Sequence, residues 1–283
     1  MSALSPAPAW SREDHVPPGR YGPIGQMRSE WTKLRTVRST IWTLVVTVLA
    51  VVGIGAIATA VTAAHWNGGG IADQLDFDPT ARSLAGVFLG QIVIGVLGVL
   101  VMSAEYGTGT IRATLSAIPN RPLVLAAKAL VFGAVALAAS EVLTFSAFFL
   151  GQQLLKGSTP YATITEPGVL RAVVGAGLVL AVLGLLALGI ATIIRHTAGA
   201  LATYVGLLLV LPLILQAFPI SVQHAVIRYM PLVIGENMAA TRPDLHDFGG
   251  GALLAPWVGF GLLCAYAAVA LVVGGILMTR RDA

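Results

Sequence analysis

Residues 105–128, from Glu105 to Lys128, read EYGTGTIRATLSAIPNRPLVLAAK and lie between two long apolar runs. Helix-breaking, helix-starting and basic residues follow one another here in a definite order. Gly107 and Gly109 interrupt the preceding helix, and Thr108 or Thr110 supplies a hydroxyl that can cap a new one. Ile111, Leu115 and Ile118 are spaced i, i+4, i+7, which gathers them on one apolar edge, while Arg112 points elsewhere. Pro119 ends that helix, Arg121-Pro122 restarts the chain, and Lys128 stands at the mouth of the next apolar run. The expectation is a short, rigid helix held just outside a membrane. Its apolar edge either fits a groove on another protein or rests on the bilayer, and periodicity leaves both open.

Composition sets the membrane context. Of 283 residues, 56% are hydrophobic and 11% charged, with mean hydropathy +0.83. A soluble domain carries about 25% charge. Six apolar runs, near 41–64, 84–104, 129–151, 170–194, 198–218 and 254–278, match the roughly 20 residues that cross a bilayer as a helix. The fold class is therefore all-α and polytopic, with six transmembrane helices. Aromatic content and strand-like alternation are too low to suggest a barrel, and the single Cys264 excludes an intrachain disulfide.

Residues 1–23 are rich in proline and scattered charge and read as a disordered tail, with no apolar stretch of the kind a signal peptide needs. The spanning domain then covers 24–283. In Ile24 to Thr40, the residues Ile24, Met27, Trp31, Leu34 and Ile41 fall in one arc, with Glu30 and Lys33 off it. This predicts an in-plane elbow helix carrying Arg35 and an Arg38 that must snorkel; a plain basic flank is the other reading. Twelve of the 17 basic residues fall on one side of the predicted topology, which places both termini in the cytoplasm. The net charge of +4 thus speaks to orientation rather than nucleic acid.

Within the spans, Gly86 and Gly90 form a GxxxG, and Gly133, Ala136, Ser140, Thr144, Ala147 and Gly151 line one face of the third, as close helix packing requires. Pro212 and Gln216 should kink or break the outer end of the fifth. A short amphipathic piece, Val222 to Tyr229, is closed by Met230-Pro231. Glu141 lies near the middle of the third span, where an ionised carboxylate is costly. It is either a polar element of a substrate path or proton relay, or a hydrogen-bonded packing residue. His65, His224 and His246 lack metal-site spacing. No HExxH, GxSxG or GxxxxGK[ST] occurs, so neither common hydrolase chemistry nor a P-loop is expected in this chain.

The pattern Glu105-x3-Gly109-Thr110-x4-Leu115-x3-Pro119-x-Arg121-x6-Lys128 resembles the first cytoplasmic loop of ABC transporter permeases of the type-2 export family. Ser29-Glu30-Trp31-x-Lys33-Leu34-Arg35-x2-Arg38 is similar to the start of its actinobacterial members, and Met230-Pro231-x3-Gly235-Glu236 to the segment before their last span. The resemblance implies a plasma-membrane permease subunit, not itself an enzyme, that moves a substrate out of the cytoplasm. It implies a partner P-loop ATPase in trans, which holds the ATP and magnesium, and a second permease copy, identical or paralogous. Glu105, Gly109, Thr110, Ile111, Arg112, Leu115, Ile118, Pro119, Arg121 and Lys128 would then couple the ATPase to the spans. Ile111, Leu115 and Ile118 would be its contact edge, and Glu105 a hinge paired with a basic residue of the elbow. The alternative from residues alone is an ion-coupled carrier or channel using Glu141.

Overall fold

The computed structural model describes residues 22–36, 38–66, 77–117, 120–242 and 252–280, except for the side chains of residues 38–41, 44, 113 and 117. Helix α1 (Pro23–Thr36) leads into α2 (Arg38–Val48), which passes through a π-helical turn at Leu49–Gly53 into α3 (Ile54–His65). The short α4 (Pro79–Ser83) precedes α5 (Val87–Gly107), the two-turn α6 (Thr110–Ala117) and the long α7 (Arg121–Leu155). Then come α8 (Val169–Ile194), α9 (Thr197–Val205), a π turn at Gly206–Val210 and α10 (Leu211–Leu215). After α11 (Ile220–Val226) and α12 (Pro231–Ala239), α13 (Pro256–Arg280) ends the bundle. Among the described residues, six helices are long and apolar enough to cross a membrane: Val45–His65, α5, α7, α8, Thr197–Leu215 and α13. No strand occurs among the described residues.

The core is organised around α8, whose sequence is almost entirely Gly, Ala, Leu, Val and Ile and which is buried along most of its length. The helices α5, α7 and α13 pack directly on it. Small residues set these approaches, since lipid gives little other drive for helices to associate. Gly98 faces the backbone of Gly184, and Gly184 lies beneath Phe132. Gly86 faces the carbonyls of Ala50 and Val51, which the π turn of the first span directs at it. A methyl group there would overlap both. On α7, Ala136, Ser140, Thr144, Ala147 and Gly151 form a buried face.

Among the differences from the expected bounds, two have a local cause. Helix α7 begins at Arg121, well before 129, because the Asn120 side chain accepts from the Leu123 amide at 3.2 Å and Pro122 sits in the first turn. Lys128 is therefore two turns inside the helix rather than at its mouth. The fifth span stops at Leu215, short of 218. Pro212 cannot donate to the helix ladder, and the π turn just before it absorbs the mismatch. The expected tail lies outside the described residues up to residue 21, as do His246, Ile118 and Pro119.

The bundle has two unlike ends. One gathers α1, α6, the ends of α5, α8 and α13, and the start of α7. The other carries α4, α11 and α12. At this second end Asp78 caps α4 with one oxygen, while its other accepts from the Thr241 amide and hydroxyl at 2.6 and 2.8 Å. Gln152 joins α7 to Pro79, Ser83 and Ala162, and Arg171 donates to the carbonyls of Met238 and Ala240.

Candidate functional site: a buried ring of charges under the short helix

Helix α1 places Gln26, Glu30 and Lys33 on one face by their i, i+4, i+7 spacing and turns that face onto α7. There Glu30 and Glu105 meet Lys33 and Lys128 in a closed, alternating ring. Lys128 Nζ donates to Glu30 Oε2 at 2.6 Å and to Glu105 Oε1 at 2.8 Å. Lys33 Nζ donates to Glu30 Oε1 and Glu105 Oε1, both at 2.8 Å. Gln26 adds a third donor to Glu30 at 3.3 Å. Glu30 and Lys128 are each 2% exposed, so neither charge survives burial without the other. The ring is neutral as a whole.

Three chain segments are thereby joined: the elbow, the end of the second span and the start of the third. Lys33 lies at the open side of the ring. Burial lowers its pKa, but hydrogen bonds to Glu105 and Glu30 outweigh that and hold it above its ordinary 10.5. Beside the ring, two guanidinium groups fasten the end of α13. Arg121 donates to the Met278 carbonyl at 2.8 Å and Arg195 to that of Leu277 at 3.0 Å, satisfying carbonyls a helix end leaves open. Arg195 also sits 5.4 Å over the ring of Tyr106, next to Glu105.

Helix α6 hangs directly from this assembly. Gly109 takes φ 71°, a left-handed turn that glycine makes without strain, and lets α6 start one residue later at Thr110. The hydroxyls of Thr108 and Thr110 lie 2.9 Å apart. The orientation of α6 differs from the expected one. Ile111 is 2% exposed, and Leu115 packs on the same core. The apolar edge therefore faces the chain's own bundle, and Ile111 cannot be part of an outward contact edge. Burying those side chains under the spans is what holds a helix this short in place. Arg112 and Ser116 face outward, and Arg112 has no side-chain partner among the described residues.

On α1, Arg35 is exposed, Trp31 is 52% exposed, and the Arg38 side chain lies outside the described residues. Glu141 is distant from the ring along α7. Its carboxylate packs against Gly177 of α8, and Oε1 is buried without a hydrogen-bond partner.

Sequence reasoning did not anticipate Gln26, the contact of Arg195 with Tyr106, or the burial of α12 between α5, α8 and α13. For Gln26 a signal existed. Gln26 shares the arc of Glu30 and Lys33, opposite the apolar arc of Ile24, Met27 and Trp31, and so falls on the face those charges turn onto α7.

A polytopic helical bundle with an elbow helix, and a short helix slung between its second and third spans, has the layout of a transporter's membrane subunit. The family model described as ABC-2 family transporter protein matches residues 27–227. That stretch covers more than two thirds of the chain, which belongs to this family and is a multi-pass membrane protein of ABC transport. No curated protein matches the sequence.

Proposed function

We propose that this chain is the permease subunit of an exporter in the plasma membrane, driven by a separate P-loop ATPase that docks under α6. A second permease copy, identical or paralogous, completes the pathway. The orientation with both termini in the cytoplasm follows from the basic residues at the α6 end. The observation that carries the reading is the charge ring. It ties the elbow to the second and third spans at Glu105, five residues before α6 begins, so a push on α6 that reaches the end of α5 is delivered to three segments together. The contact surface is Arg112 with Ser116 and the exposed Thr108–Thr110 turn, while Ile111 and Leu115 act as the anchor.

Co-expression with a candidate partner ATPase tests the reading. Arg112→Glu should sharply reduce co-purification of the ATPase while the permease keeps its yield and melting temperature, because the Arg112 side chain is exposed. Unchanged co-purification would place the docking surface elsewhere. Glu141, with a buried and unpartnered oxygen, is the residue we assign to the substrate path. Glu141→Gln should retain ATPase association and lower transport. Transport equal to the parent would remove it from the path, and transport without ATP that needs Glu141 would favour an ion-coupled carrier.

A further inference from the structure

On helix α1, Gln26, Glu30 and Lys33 are turned into the protein, while Ile24, 74% exposed, and Trp31, 52% exposed, face away from it. With Met27 they form one wall of a groove of about 520 Å³ whose other wall is α7 around Ala134 and Val135. The groove is apolar apart from Arg28. Arg28 is exposed, and its guanidinium has no partner among the described residues. An apolar channel opening beside a membrane-spanning helix is filled by bilayer chains. A lone cation within reach of it selects among them by headgroup charge. The tryptophan at its edge suits the same interfacial depth.

We infer that this groove binds an anionic phospholipid of the surrounding leaflet, with an acyl chain between α1 and α7 and its phosphate at Arg28. The site needs no extra rigidity of its own. The charge ring on the opposite face of α1 holds that helix against α7, so the groove walls keep their spacing. The lipid then acts as a wedge that stabilises the elbow from the membrane side.

The test uses the full chain in nanodiscs, with Trp10, Trp42, Trp66 and Trp257 changed to phenylalanine so that Trp31 alone reports. Dibrominated phosphatidylglycerol and dibrominated phosphatidylcholine are compared as quenchers at equal mole fraction. Phosphatidylglycerol should be enriched at Trp31 about fivefold, the preference that one arginine near anionic headgroups supplies. In Arg28→Gln that preference should vanish while phosphatidylcholine still quenches, which also shows that the groove remains formed. Equal quenching by both lipids in the parent, or a preference that survives Arg28→Gln, overturns the assignment. Protection of Trp31 from both lipids would also overturn it, since a protein surface would then cover the groove.

Discussion

The two ends of the bundle are fastened by different chemistry. At the end bearing α6, the helices α1, α5 and α7 are joined side chain to side chain, through the ring of Glu30, Lys33, Glu105 and Lys128, while α13 is held by its carbonyls, through Arg121 and Arg195. At the far end, side chains hold mainly backbone. Asp78 accepts from the amides of Thr80, Ala81, Thr241 and Arg242, Gln152 bonds to Pro79 and Ala162, and Arg171 bonds to two carbonyls of α12 and its exit. Backbone caps fix connectors in one geometry. A ring of long, flexible charged side chains can change partners while staying neutral, which lets the helices it joins move relative to one another. On this account the α6 end is built to transmit motion and the far end to resist it.

The largest expected effect breaks the ring from inside. Lys128→Met leaves Glu30 and Glu105 buried around a missing cation and should cost about 3–5 kcal/mol, read as a large drop in melting temperature. Changing both glutamates to glutamine in the same protein should recover much of it, because a neutral buried site no longer needs the lysine. A small loss for Lys128→Met would mean that water fills the site. Next in size is Asp78→Ala at the far end. Loss of the helix cap and of the bonds to Thr241 should cost about 2 kcal/mol. ATPase activity per folded complex should stay at the parent level. If Asp78→Ala uncoupled the ATPase as strongly as ring variants do, the contrast between the ends would fail. The smallest effect on stability belongs to Lys33, at the solvent side of the ring. Lys33→Ala should cost about 1 kcal/mol or less. With its folded pKa raised above 10.5, its contribution is complete below that pH and is lost only as pH rises through the raised value. The stability difference between parent and Lys33→Ala should therefore be flat across neutral pH.

Much of this was legible in the sequence. Span number followed from run length, and the break before α6 from Gly107 and Gly109. Glu105 was expected to pair with a basic residue of the elbow, and it meets Lys33. What periodicity could not give was the direction of a face. An apolar edge on a short membrane-proximal helix looks the same whether it meets a partner, lipid or its own bundle, and for Ile111 it is the bundle. The start of α7 was misplaced because a hydropathy reading begins at the apolar run. The helix begins at its cap, Asn120. The ring itself needed the third dimension, since Glu30 and Lys128 are far apart in sequence and meet only once α1 folds back on α7.

The central claim, that the charge ring carries motion from the ATPase to the spans, is tested most directly by ATP hydrolysis in the reconstituted complex carrying Lys33→Ala. That variant barely touches stability and lies outside the docking surface, so the ATPase should still co-purify at the parent level. Its coupled hydrolysis should fall about fivefold or more, the range of ordinary coupling free energies. Parent-level coupled hydrolysis in a complex that assembles and melts normally would contradict the claim and leave the ring a purely structural fastening.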